Sequence, residues 1–208
     1  MTRDEESRVI RAVLAGDTYR FEELVHASEK GIYNLCLRML GNEQDALDAS
    51  QEAYFKAFRA LPTFRGESKF SVWLYRLASN VCLDMLRKRP AAPALPLEDE
   101  EGSSLPLPDN RFDPQAALER KELRRAVREA LADLPPDFRQ VLVLRELNGL
   151  SYEEIGQVTG LEAGTVKSRI FRARKKMAAL LTARGNFSPD MTSISSEKKT
   201  RGKGGEDA

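Results

Sequence analysis

The sequence predicts an all-α chain: two small helical domains joined by a flexible, acidic, proline-rich linker, the second domain containing a helix-turn-helix. Three observations carry this. Apolar residues recur at spacings of three and four rather than two, in segments dominated by strong helix formers. Six of the ten prolines lie between Pro90 and Pro114. Residues 91–117 hold six acids and a single base, Arg111, although the whole 208-residue chain carries a net charge of only +1. Proline at that density removes helix and ladder hydrogen bonds, and an acidic cluster cannot bury itself, so the stretch reads as an extended linker. Domains are expected over 1–90 and 118–184, with a disordered tail over 185–208 that is poor in large apolar residues.

In the first domain, residues 1–61 contain no proline, and the periodicity predicts helices at 4–15, 18–40 and 43–60. A fourth is expected at 69–88. On a wheel of about 100° per residue with Phe70 at zero, Leu74, Leu77, Val81 and Met85 define its core side. A second row, beside that stripe, holds Trp73, Arg76, Asn80 and Arg87. An aromatic ring, two guanidiniums and an amide in one row can stack on and hydrogen-bond unpaired bases. Trp73 can equally flank the core. Lys88 and Arg89 suit phosphate contact, and they also suit the negative end of a helix dipole.

The second domain should hold helices at 114–132, 136–147, 151–159 and 162–181. Pro135-Pro136-Asp137 opens one and Asn148-Gly149 closes it. In Leu150-Ser151-Tyr152-Glu153-Glu154-Ile155, Ser151 and Glu154 form a capping box while Leu150 and Ile155 form a hydrophobic staple. A turn at Gly160 then gives helix-turn-helix geometry. In the last helix Val166, Ile170, Ala173 and Met177 form a tight apolar stripe. The opposite face carries Lys167, Ser168, Phe171, Arg172 and Lys175, with Arg169 on a flank. Seven bases and no acid occur from Lys167 to Arg184, and a purely basic outer face suggests a polyanion. Phe171 on that face can press on a thymine methyl in a major groove, with Lys167 and Arg172 reading base edges or phosphates.

Composition excludes several classes. The lone histidine, His26, leaves no His/Cys metal cluster and is the one residue a Ser-His-Asp triad could use; no phosphate-cradling glycine motif occurs. No cofactor, metal or catalytic residue is expected. Cys36 and Cys82 sit between aliphatic neighbours and read as buried thiols. No apolar run approaches the roughly 18 residues that cross a bilayer, and the acidic N-terminus does not resemble a secretory signal, so a cytoplasmic protein is expected.

The segment from Leu150 to Ile155, followed by Gly164-Thr165-Val166-Lys167-Ser168-Arg169-Ile170-Phe171-Arg172-Ala173-Arg174, resembles region four of bacterial RNA polymerase sigma factors of the extracytoplasmic-function class. Response-regulator output domains share a similar Thr-Val-Lys-Ser segment, but the N-terminal half lacks their alternating strands and helices. Instead, Asp45-Ala46-Leu47-Asp48-Ala49-Ser50-Gln51-Glu52-Ala53-Tyr54 resembles the second conserved region of the same sigma factors. The block from Phe64 to Asn80 resembles the part that recognises the minus-ten element. Together the resemblance spans about residues 18–90 and 118–181.

The implications are specific. Core RNA polymerase, through its beta-prime coiled coil and beta flap, and promoter DNA become expected partners, with an anti-sigma factor as a third. Asp45, Asp48, Gln51 and Glu52 become polymerase contacts, although a helix dipole explains Asp45 and Asp48 by itself. Arg65, Glu67, Ser68 and Lys69 belong to the loop that would receive an extruded base, and with Trp73, Arg76, Asn80 and Arg87 they form the expected single-strand surface. Lys167, Ser168, Arg169, Phe171, Arg172 and Lys175 form the expected minus-thirty-five reader. The function implied is that of an alternative sigma factor, whose N-terminal domain melts the minus-ten element and whose C-terminal domain reads the minus-thirty-five element.

A freely coiling linker of 27 residues spans about 29 Å, and roughly 90 Å fully drawn out. Elements two helical turns apart need about 70 Å. The linker must then be stretched by a third body; coiled loosely, it would let the two domains fold together and hide both DNA surfaces. Two other classes fit the same features: a duplex-binding regulator that works without polymerase, and a helical adaptor whose basic face meets an acidic protein. Promoter-specific initiation with core polymerase separates the first, and a steep salt dependence of DNA binding argues against the second.

Overall fold

The computed structural model describes residues 1–88 and 114–184. Most of the expected linker, the tail over 185–208, and Arg89 lie outside the described residues. Eight α-helices are described: α1 (Arg3–Leu14), α2 (Phe21–Leu40), α3 (Glu43–Ala60), α4 (Phe70–Lys88), α5 (Pro114–Ala132), α6 (Pro136–Leu142), α7 (Tyr152–Thr159) and α8 (Ala163–Ala183). No strand occurs among the described residues.

Helix α1 starts where a capping box starts it: Thr2 Oγ1 accepts the Glu5 N–H at 3.3 Å and the Glu5 carboxylate accepts the Thr2 N–H at 2.7 Å. Its Val9, Ile10 and Val13 are buried. Asn42 opens α3 by accepting the Asp45 N–H at 2.9 Å. Ala46, Ala49, Ala53 and Ala57 are fully buried along one face of α3, and these small side chains let α2 and α4 pack close against it. Leu24, Leu35, Met39, Phe70 and Leu74 fill the space between the three. Cys36 and Cys82 are free and buried there, one on α2 and one on α4. Donation of its S–H to Cys36, together with burial, raises the Cys82 thiol, so this thiol stays protonated.

In the second body, α5 to α8 as against α1 to α4 of the first, the capping box of α7 is formed as the sequence predicts, with Ser151 Oγ accepting the Glu154 N–H at 3.1 Å and Glu154 Oε2 accepting the Ser151 N–H at 2.9 Å. Gly160 closes α7 at φ 73°, a left-handed conformation that glycine adopts without cost. Gly156 is required for a different reason: a Cβ there would lie 2.6 Å from the Leu161 carbonyl oxygen. Helix α8 then crosses α6 and α7 on its Val166, Ile170 and Ala173 face.

Two elements depart from expectation. The first turn of the 18–40 segment is a 3-10 turn over Thr18–Arg20, and α-helix begins at Phe21. The predicted helix 136–147 ends at Leu142 and continues as a π-turn over Val143–Leu147. There the Asn148 N–H donates to the Val143 carbonyl at 3.1 Å. Arg145 reaches forward to the Leu150 carbonyl at 2.6 Å and lies over the Tyr152 ring, which ties the wider turn to α7. Such π-turns insert a residue and re-aim the chain beyond them, and here Asn148 faces the first body.

The two bodies are packed together. Helix α7 lies on α4, while α5 and the π-turn lie on α2, and one buried cluster runs from Val9 to Ala173. No helix among the described residues is long and apolar enough to cross a membrane.

Candidate nucleic-acid interface

The loop between α3 and α4 is anchored by its own aromatic residue. Phe64 packs edge-on against Phe70, centroids 5.8 Å apart, and tilted against Trp73 at 5.1 Å. The loop turns at Gly66, φ 70°. Between it and α4 lies a cavity of about 400 Å³, lined among others by Arg65, Glu67, Ser68, Trp73, Arg76 and Gln157. Two guanidiniums, a carboxylate, a hydroxyl and an indole around one hollow can hold a flat polar ring by stacking and by hydrogen bonds to its edges.

Five of the eight residues expected at a single-strand surface line this cavity: Arg65, Glu67, Ser68, Trp73 and Arg76. Trp73 is only 8% exposed, so it forms a wall fixed by the aromatic cluster rather than a free stacking ring. Asn80 and Arg87 are exposed further along α4, and Arg87 pairs with Asp84 at 3.0 Å. Lys69 turns away to Glu154 at the start of α7, Nζ to Oε1 3.1 Å. The backbone hydrogen bond with Ser151, and then the Lys69 ammonium, hold the Glu154 carboxyl below the ordinary glutamate value of 4.5.

On α8 the apolar stripe is inward: Val166, Ile170 and Ala173 are buried and Met177 is half-buried. Lys167, Ser168, Phe171, Arg172 and Lys175 are exposed. Phe171 is 69% exposed, a large apolar surface in a row of cations. Arg169 is partly covered and lies 3.6 Å from Asp137, while Arg172 is braced by donating from Nε to the Ser168 carbonyl at 3.3 Å. Packing of the two bodies therefore leaves this face open, contrary to the expectation that both DNA surfaces would be hidden.

On α3, Asp48, Gln51 and Glu52 are exposed and Asp45 is half-buried beside its cap. Asp48 accepts from Gln44 Nε2 at 3.2 Å, and Glu52 pairs with Lys56 at 3.4 Å. Leu47 and Phe55, four residues either side of Gln51, are 46% and 55% exposed. Sequence reasoning missed this apolar pair, which breaks the inward pattern of the helix and was legible as such.

Reasoning from sequence also missed the contacts between the bodies. Buried Arg139 of α6 donates to the carbonyls of Met39, Ala132 and Leu134, the first of these at the end of α2. Asn148 Nδ2 donates to the Gly31 carbonyl and the Tyr75 hydroxyl. Gln157 of α7 lines the cavity formed by the first body. An arginine, an asparagine and a glutamine in helical, surface-like contexts give no local signal for such roles. Among the described residues no group of three or more His, Cys, Asp or Glu side chains could hold a metal ion.

Residues 24–91 match the family model described as Sigma-70 region 2, and residues 124–177 match Sigma-70, region 4. The RNA polymerase sigma-H factor of Pseudomonas aeruginosa is 39% identical over 180 residues, covering 84% of this chain and 93% of the relative. The ECF RNA polymerase sigma-E factor of Escherichia coli is 38% identical over 171 residues, covering 80% and 89%. Among solved structures, CnrH in complex with the cytosolic domain of CnrY superposes with a TM-score of 0.64 at 26% identity, covering 86% of this chain and 97% of that one.

Proposed function

The chain belongs to the sigma-70 family of RNA polymerase sigma factors, in its extracytoplasmic-function class, and directs promoter-specific transcription; from this premise we propose how its surfaces divide that work. The cavity between the Phe64–Lys69 loop and α4 receives a base extruded from the minus-ten element. Arg65, Glu67, Ser68 and Arg76 read its edges against the wall of Trp73, and Asn80 and Arg87 follow the strand along α4. The exposed face of α8 reads the minus-thirty-five element in the major groove through Lys167, Ser168, Phe171, Arg172 and Lys175, with Arg169 at its edge. Core polymerase docks on α3 through Asp45, Asp48, Gln51 and Glu52, and the exposed Leu47 and Phe55 supply the apolar part of that contact.

The observation that carries this reading is the cavity itself: a preformed hollow with stacking and hydrogen-bonding groups, inside the segment that matches Sigma-70 region 2. Its work is binding and strand separation, without covalent chemistry, carried out on cytoplasmic polymerase. With α7 on α4, Lys69 is engaged and Gln157 walls the cavity, so polymerase must part the two bodies before the promoter is melted. CnrH is solved with the cytosolic domain of CnrY, and an anti-sigma protein that holds this chain is proposed as a further partner.

Purified chain added to bacterial core polymerase should start transcription at discrete promoters and make bases upstream of the start site reactive to single-strand probes. Binding to duplex DNA without such initiation would support a polymerase-independent regulator instead.

A further inference from the structure

Helix α1 precedes residue 24, where the Sigma-70 region 2 match begins, yet two of its side chains grip the cavity loop. Arg3 Nη2 donates to the Gly66 carbonyl at 2.9 Å, and Glu6 Oε2 accepts the Phe70 N–H at 3.3 Å. These contacts span 63 and 64 residues of sequence. Positions three apart on a helix share a face, so a single rigid surface meets both ends of the Gly66–Phe70 segment.

Each contact has a defined physical effect. The Phe70 N–H is the first of the unpaired donors at the start of α4. The Lys69 carbonyl accepts from the Val72 and Trp73 N–H groups and so leaves the Phe70 N–H to find its acceptor outside the helix. Glu6 does, and it places a carboxylate at the positive end of the α4 dipole. Gly66 sits at the bend, and a hydrogen bond at its carbonyl fixes the peptide plane that leads to Glu67. The directions in which Glu67 and Ser68 enter the cavity depend on that plane. Burial of Val9, Ile10 and Val13 and the Thr2 capping box hold α1 itself in place.

We infer that Arg3 and Glu6 are positioning residues that set the geometry of the base-receiving loop, so that the N-terminal helix tunes single-strand recognition without touching DNA or polymerase. This rests on the proposed reading of the cavity. A helix that merely covered the core would affect all activities alike, which separates the two possibilities.

The test uses the full chain assembled with bacterial core polymerase. Wild-type holoenzyme first selects a probe from single-stranded DNA carrying a randomised ten-base core; absence of any enrichment would overturn the cavity reading itself. With the selected oligonucleotide, Glu6→Ala combined with Arg3→Ala should weaken binding about tenfold, while affinity for core polymerase stays within about twofold. Glu6→Gln keeps an acceptor for the Phe70 N–H and should recover most of the loss. Hydrogen exchange in the free chain gives an independent reading: amides 66–70 should exchange faster in Glu6→Ala, with α2 and α3 unchanged. Single-strand affinity within twofold of wild type, a matching fall in polymerase affinity, or exchange accelerated equally throughout the first body would each overturn the inference.

Discussion

The side-chain amide of Asn148 donates to the hydroxyl of Tyr75 across 3.1 Å, a contact between the π-turn of the second body and α4 of the first. The same amide donates to the Gly31 carbonyl at 3.2 Å. Burial raises the Tyr75 hydroxyl above its ordinary value, so it remains neutral throughout the physiological range. A methyl group at Gly31 would collide with that hydroxyl. Gly31→Ala should therefore displace Tyr75 and break its bond to Asn148, even though alanine favours the helix by about 1 kcal/mol. Hydrogen exchange should show faster opening of α7 and the π-turn with α2 as protected as before. Loss of α2 protection instead would mean that glycine is needed for the first body itself.

Arg139 closes the end of α2 from another helix. Its guanidinium meets the Met39 carbonyl, one of the last unpaired acceptors of α2, where a cation also complements the helix dipole. Arg139→Ala leaves the carbonyls of Met39 and Leu134, which are buried, and of Ala132, which is half-buried, without this donor, at a cost on the order of 3 kcal/mol. Urea denaturation should show a lowered midpoint with an unchanged slope. Arg139→Lys should recover only part of the loss, since one ammonium cannot reproduce the planar fork.

Acid should loosen the contact between cavity loop and α7. The folded Glu154 carboxyl lies below its ordinary value of 4.5, so its stabilising contribution is complete above that pH. As pH falls through the lower folded value the carboxylate is protonated and the contribution is lost, along with the ion pair to Lys69. Glu154→Gln should flatten this part of the stability-against-pH curve, measured by thermal unfolding between pH 3 and pH 6. An identical acid limb in both proteins would show that other carboxylates set it.

The helices were legible because their signals are local. The capping box at Ser151 and the stripe of Val166, Ile170 and Ala173 depend on residues within a turn or two of each other, and the structure forms both. The cavity was legible in composition, as the cluster of Arg65, Glu67, Ser68, Trp73 and Arg76, but not in its limits. Lys69 was expected there and is drawn off by Glu154, 85 residues away, while Gln157 enters from the other body. Nor does spacing reveal the π-turn, because its geometry is settled by Arg145 reaching Leu150 and Tyr152. Arg3, Glu6, Arg139 and Asn148 act across 63 to 117 residues, and periodicity carries no information at that range.

On α8, two arginines one turn apart should behave differently. Arg172→Ala should cost about 1 to 3 kcal/mol in duplex affinity and alter sequence preference, whereas Arg169→Ala should weaken binding evenly across sequences. Arg169 is partly withdrawn towards Asp137, which fits a supporting contact rather than a reading one. Phe171→Ala removes an exposed ring, so stability should stay within about 0.5 kcal/mol while binding to the matched duplex falls. Titrations on matched and scrambled duplexes at fixed salt separate these effects. Equal losses on both duplexes for the two arginine variants would refute the division.

On the proposed function, polymerase separates two bodies that are packed together in the free chain. Dyes at the exposed positions 19 and 118, introduced as Tyr19→Cys and Leu118→Cys, report on this separation directly, since the native cysteines are buried. Energy transfer should be high in the free protein and should fall when core polymerase and a promoter duplex are added, as the bodies move towards sites about 70 Å apart. Unchanged transfer in complexes that still make promoter-specific transcripts would contradict the account.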